Sequence, residues 1–199
     1  MIIDSSNKIL QIKIVYFGPA LSGKTTSLKS LFRHFGKEDQ LSSIESTMNR
    51  TLFFDYGVIS FQNEDWVLRV HLYTTTGQDF YAITRPITLE GIDGLIFIVD
   101  SQKSAYKRNI IPWKELKSYF KDILKYLPMV IAFNKQDLPE KFKYKDFLKE
   151  IEFEGKENGE IIFTTAINGE NVLKSFETLI KLIFYSAIQP KAISNTNKE

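Results

Sequence analysis

The stretch GPALSGKTT, residues 18–26, lies between the apolar run ILQIKIVYF at 9–17 and the amphipathic run SLKSLFRHF at 27–35. Gly18, Gly23, Lys24 and Thr25 have the spacing of a phosphate-binding loop, and each residue type has a task there. Glycines let the backbone curl so that successive N–H groups, those of Ala20, Leu21, Ser22, Gly23 and Thr26 among them, face one anion. The helix that follows adds the positive end of its dipole. Lys24 would reach the β- and γ-phosphates, and the Thr25 hydroxyl would ligate Mg²⁺. An ordinary glycine-bearing strand-to-helix turn would show the same glycines. The strand before and the helix after are the context the phosphate reading requires.

Around this loop the chain alternates short apolar runs with longer helical patterns, the mark of a mostly parallel sheet with helices on both faces. Strands are expected at 9–17, 51–61, 66–73, 94–100, 129–134 and 160–164, six in all. The second and third are separated by QNED, a hairpin-like turn, so one antiparallel edge strand is expected on an α/β sheet that is otherwise parallel. Helices are expected at 24–35, 112–126, 144–151 and 171–187. In the second, Trp113, Leu116, Phe120, Ile123, Leu124 and Leu127 would form the apolar face. In the last, Val172, Leu173, Phe176, Leu179, Ile180, Ile183 and Phe184 keep helical spacing on one face, which reads as core packing. Residues 36–50 lack clear periodicity, and a segment of that length is usually functional or disordered.

The 199 residues suit one domain, expected over 1–189, with a polar, disordered tail at 190–199. A net charge of +2 gives no reason to invoke nucleic acid, and the absence of cysteine excludes disulfides, thiolate metal sites and a thiol nucleophile. That composition fits a reducing cytoplasm. No apolar run approaches a membrane span, and the ends carry no signal peptide and no myristoyl or prenyl motif, so no intrinsic membrane anchor is expected. Any membrane contact would come through a partner or a surface patch. His34 and His71 belong to no metal-spaced pair and read as structural.

A second motif, NKQD at 134–137, ends an apolar strand, where doubly wound sheets bind ligands. The Asp137 carboxylate can accept two hydrogen bonds from the N1–H and amino group of guanine, neither of which adenine offers. TTTGQ at 74–78 ends the third strand and TTAING at 164–169 follows the sixth. Together these motifs resemble those of the Ras-like small GTPases, over nearly the whole chain. MNRTLFFDY, HLYTTTGQDFY and GIDGLIFIVDSQ are similar to the bacterial polarity and gliding GTPases of the MglA type.

The resemblance implies the small G-protein version of the P-loop fold and a Mg²⁺-dependent switch that binds GTP or GDP and hydrolyses GTP slowly. Gly77 would give its N–H to the γ-phosphate and Gln78 would orient the attacking water. Thr51 would be the second Mg²⁺ hydroxyl and Arg50 an arginine supplied in cis. Asn134, Lys135 and Asp137 would hold the base together with Thr165, Ala166 and Ile167, the Ala166 N–H meeting the guanine oxygen. A roadblock-type (MglB-like) activator and an unidentified effector are implied as partners. Two departures stand out: Thr74 replaces the aspartate that usually holds magnesium through water, and Ile167 replaces a lysine. Asp55 is the nearest carboxylate that could compensate for Thr74; it also suits a solvated strand residue. Arg50 read alone is a surface charge at a strand start. Of the neighbours Phe53 and Phe54, one should face the core and the other the opposite side, where it is either a contact for a regulator or buried under a helix. Rival readings are a non-hydrolysing GTP-binding scaffold and a small-molecule kinase, the latter opposed by NKQD.

Overall fold

Alternation along the run at 9–17 sends Ile12, Ile14 and Tyr16 to one face of a strand and Val15 and Phe17 to the other, and all five are buried. A strand buried on both faces belongs in the middle of a helix-covered sheet. The computed structural model describes residues 1–45, 51–75, 85–153 and 159–188, of which 43–45 and 51–53 by backbone alone. Along the chain run β1 Ile2–Asp4, β2 Ile9–Phe17, α1 Lys24–His34, β3 Ser42–Glu45, β4 Thr51–Asn63, β5 Trp66–Thr74 and α2 Arg85–Leu89. Then follow β6 Gly94–Asp100, α3 Tyr106–Phe120, β7 Met129–Asn134, α4 Tyr144–Glu150, β8 Gly159–Phe163 and α5 Val172–Ile188.

The sheet order is β3-β4-β5-β2-β6-β7-β8, with β1 pairing β2 as well. From β5 through β8 every neighbouring pair is parallel, whereas β1/β2, β3/β4 and β4/β5 are antiparallel. After β2 the chain adds strands on one side and then, at β6, crosses to the other, so the loop leaving β2 opens onto the topological switch point. On one face α1 and α5 bury Leu28, Leu31, Phe32, Phe176, Leu179 and Ile183 against the sheet. On the other, α3 and α4 bury Trp113, Leu116 and Phe147.

The mostly parallel sheet with helices on both faces is as expected. The described residues hold eight strands, however, where six were expected, because β1 and β3 are short edge pieces whose pairing depends on strands elsewhere in the chain. With β3 outside it, β4 is not the edge, and part of the segment read as featureless is a strand. The helix expected at 112–126 begins at Tyr106 and keeps Pro112 inside it. Proline there removes the bond to the Arg108 carbonyl, yet the first turns pack Tyr106 on Phe142 and Phe147 and place Ile110 in the core. The helix stops at Phe120, Lys121 takes φ +47°, and a 3₁₀ turn carries residues Lys121–Tyr126. The change from 3.6 to three residues per turn keeps Leu124 and Leu127 inward and turns Ile123 out, where it is 67% exposed. Ile123 is therefore surface, not core. Among the described residues no helix is long and apolar enough to cross a membrane.

Candidate functional site

The loop between β2 and α1 is shaped by glycines that no other residue could replace. Gly18 and Gly23 stand at φ +144° and +101°, and a Cβ on them would lie 2.4 Å from the Ile98 carbonyl oxygen and 2.2 Å from Asn134 Nδ2. No acidic residue occupies the first turn of α1 to compete with an anion at its N-terminus. Lys24, 6% exposed, folds back to donate from Nζ to the carbonyls of Gly18 at 2.9 Å and Pro19 at 2.8 Å. Burial, helped by the nearby Arg85 guanidinium and opposed by Asp55, holds its ammonium down at about 7. The Ser22 hydroxyl beside it is buried with no partner among the described residues, as is that of Thr75 at the end of β5. A tightly curled backbone, a desolvated lysine and an orphaned hydroxyl are what a phosphate chain would satisfy.

Next to Lys24, Asp55 of β4 is fully buried, and its Oδ2 accepts hydrogen bonds from Thr25 Oγ1 at 2.6 Å and Thr74 Oγ1 at 2.8 Å. The Thr74 hydroxyl in turn accepts the Asp55 N–H at 2.8 Å. A carboxylate therefore stands against the Thr25 hydroxyl from β4, while its usual place on β5 holds a hydroxyl. No cluster of three or more His, Cys, Asp or Glu suited to a metal is present among the described residues. A cation here would depend on hydroxyls, this one carboxylate and oxygens of a ligand, a donor set that suits Mg²⁺.

At the end of β7, Asn134 ties three loops together. Its Nδ2 donates to the Ser22 carbonyl at 2.8 Å, and its Oδ1 accepts from the Ala166 N–H at 2.9 Å and the Thr164 hydroxyl at 3.1 Å. The Ala166 amide, expected to meet the guanine oxygen, is thus engaged by Asn134. Lys135 takes φ +66° and reaches Asp100 Oδ2 at 2.7 Å, a carboxylate that also accepts from Arg108 at 3.0 Å. Asp137 is exposed at the rim, Thr165 is held by Glu170 at 3.0 Å, and Ile167 is 74% exposed. The structure thus brings Gly18 to Thr26 together with Asp55, Thr74, Asn134 and Ala166. Arg50, Gly77 and Gln78 lie outside the described residues, and Thr51 is seen only as the backbone that starts β4.

Asp100 and the staple made by Asn134 were not singled out from sequence. Asp100 ends an all-apolar strand, and a carboxylate in that position was the available signal. His71 is structural, as expected: its ring bridges Gln11 Oε1 at 2.9 Å and the Tyr56 hydroxyl at 3.1 Å. Burial, with Arg69 nearby, lowers its pKa, and the network assigns the neutral ring with Nε2–H donating to Gln11. The exposed His34 stacks edge-on to Phe35. Phe54 is 37% exposed and packs against Tyr73, whereas the Phe53 side chain lies outside the described residues.

Residues 2–183 match the model of the ADP-ribosylation factor family. The chain is 32% identical over 184 residues to the mutual gliding-motility protein MglA of Myxococcus xanthus, covering 89% of this chain and 94% of that one. It is 27% identical over 180 residues to the Ras-related protein Rab-5A of Dictyostelium discoideum, covering 89% and 83%. The family model spans most of the chain, and the chain belongs to the Arf/Ras-like family of small GTPases, the GTP-binding switches, with MglA-type relatives.

Proposed function

We propose that this chain is a Mg²⁺-dependent GTP-binding switch of the cytoplasm, a single domain over 1–189, that hydrolyses GTP slowly alone and faster with a roadblock-type activator. The observation that carries the reading is the Asn134 side chain, which fastens the loop at 134–137 to the glycine loop after β2 and so would set the distance between the two ends of a nucleotide. Amides of the loop and Lys24 would hold the phosphates, Asp137 the guanine, and Asp100 would steady Lys135 beneath the base. Magnesium, when bound, supplies positive charge to the β- and γ-oxygens. Thr25 and Thr51 would ligate it, with Asp55 holding their water or hydroxyl partners in line. The direct test is the identity of the nucleotide that co-purifies with the protein, read by chromatography. Guanine nucleotide is expected, and an adenine nucleotide would overturn the reading.

Lys24 makes binding pH-dependent with a definite sign. Its pKa near 7 lies below that of an unfolded lysine, about 10.4. The unfolded chain therefore holds this proton more tightly, and the contribution of Lys24 to stability rises with pH from about 7 to about 10. Phosphates beside Nζ restore the ammonium. At pH 8, GDP binding should take up close to one proton, seen by calorimetry in buffers of different ionisation enthalpy, and Lys24→Met should abolish the uptake. Proton release on binding would contradict the assignment of Lys24 to the phosphates.

Asp55 makes the second test. If it stands in for the aspartate missing at 74, Asp55→Asn should lower Mg²⁺ affinity about 10- to 100-fold, as removal of an outer-shell partner does. Chelation should then accelerate GDP release far less than in the parent. An unchanged magnesium dependence would remove the compensating role and leave the switch reading standing.

A further inference from the structure

Ser22 donates its N–H to the Pro19 carbonyl at 3.4 Å, which closes a four-residue turn over Pro19, Ala20, Leu21 and Ser22. Leu21 holds the third position at φ +62°, the left-handed region that a turn ordinarily gives to glycine or asparagine. A leucine there is strained, because its Cβ crowds its own backbone. Packing in a core could offset the strain, yet Leu21 is 63% exposed. Ile167, in the loop that follows β8, is 74% exposed. One side chain joins these two loops: Asn134 donates to the Ser22 carbonyl, next to Leu21, and accepts from the Ala166 N–H, next to Ile167. The loops also touch directly, since a Cβ on Gly23 would lie 4.0 Å from the Ala166 Cβ. Each loop that Asn134 joins thus carries an exposed aliphatic side chain one residue from the tie.

We propose that the Leu21 side chain is a binding group for the sugar of the nucleotide, covering it from the phosphate loop and setting how long the nucleotide stays bound. The inference rests on the nucleotide reading given above. With phosphates on the loop amides and the base at Asp137, the sugar spans the step between the two, and that step is the Asn134 tie beside which Leu21 stands. The carbon face of ribose is the part of a nucleoside diphosphate that carries no charge and pairs with nothing, and it suits an aliphatic side chain. Covering it takes Leu21 out of water in the bound state, which gives the leucine a use that its place in the turn does not. Backbone strain kept at a ligand site has this pattern. Ile167, next to the Ala166 amide, meets the nucleoside from the other loop. The sugar contact makes no use of the base, so it serves any nucleoside diphosphate that the site admits.

The experiment follows release of radiolabelled GDP, whose sugar is unmodified, from the full chain and from Leu21→Gly, Leu21→Asn and Leu21→Met with Mg²⁺ present. Glycine and asparagine accept φ +62° more readily than leucine does, so those two variants keep the turn and the fold. Relief of strain alone would not hasten release. Loss of a partly buried leucine contact should hasten it about five- to tenfold in both, while Leu21→Met, which keeps an apolar side chain of similar volume, should stay near the parent rate. Inorganic tripolyphosphate has no sugar, and calorimetry should show it binding to the parent and to Leu21→Gly alike. Release from Leu21→Gly at the parent rate would overturn the proposal. So would equal weakening of GDP and tripolyphosphate, which would put the effect in the loop backbone. A parent that prefers ADP would remove guanine from the function, and ADP release from Leu21→Gly would then decide the sugar contact by the same two outcomes. A parent that binds neither nucleotide would overturn both readings.

Discussion

Asp137→Ala is expected to collapse the protein's discrimination between GDP and ADP from about 10⁴-fold to within about tenfold. A pocket built to pair with donors rejects an analogue that lacks them by about 10⁴ or more, because its own acceptors are then left without partners. Guanine presents N1–H and an exocyclic amine to a carboxylate, and adenine presents a lone pair and a C–H. Loop amides and Lys24 would hold either diphosphate equally, so the loss should fall on GDP and bring it down toward ADP. Asp137 is exposed and makes no hydrogen bond among the described residues, so its removal should leave the fold intact. Asn134 is a poor site for the same test, since its side chain bonds Ser22, Thr164 and Ala166 and its loss would loosen three loops at once. Titration calorimetry of both nucleotides on both proteins decides it. A parent that binds GDP and ADP equally would remove guanine from the account.

The contrast between Asp137 and Asn134 shows what the sequence could carry. Both were legible as a motif, because NKQD is contiguous and follows an apolar strand. The different tasks of the two side chains were not, because the partners of Asn134 lie about 30 residues ahead in the chain and more than 100 behind. Asp100 escaped notice for the same reason: its contacts to Lys135 and Arg108 exist only once β6, β7 and α3 have met. Core strands were readable since each carries its own run of apolar residues. β1 and β3 have three and four residues, too few for a period to register, and they exist through pairing with β2 and β4. Pro112 misled because proline favours the first turn of a helix; packing of Tyr106 and Ile110 outweighed the lost hydrogen bond and moved the start forward by about two turns. Asp55 was visible as a carboxylate near the right place, and its approach to Thr25 needed the register of β4 on β5, which one sequence does not encode locally.

Arg50→Ala and Gln78→Leu are expected to bind GTP nearly as well as the parent while losing most activator-stimulated phosphate release, by about 10³-fold or more if Arg50 acts as an arginine finger does. Both residues adjoin anchored backbone. Thr51, next to Arg50, opens β4 opposite Glu45 of β3, and Thr75, three residues before Gln78, donates its N–H to the Tyr16 carbonyl at 3.1 Å. These anchors flank Asp55 and Thr74, which stand against Thr25 in the phosphate loop. Phosphoryl transfer is catalysed mostly by positioning and charge stabilisation, so a slow intrinsic rate would follow if the aligned arrangement were a minor population in the isolated protein. An activator that bound the aligned arrangement would raise that population, and with it the rate, without donating a residue of its own. Single-turnover GTP hydrolysis with and without a roadblock-type protein separates the possibilities. Arg50→Ala stimulated as strongly as the parent would show that the charge is supplied elsewhere, Arg85 being unsuited because it is buried against Glu115. If Gln78→Leu also keeps full stimulated activity, the water is aimed by another group and the active-site assignment fails. If the parent itself releases no phosphate with any activator, the protein is a GTP-binding scaffold, and Thr74 marks a site that keeps its nucleotide without consuming it.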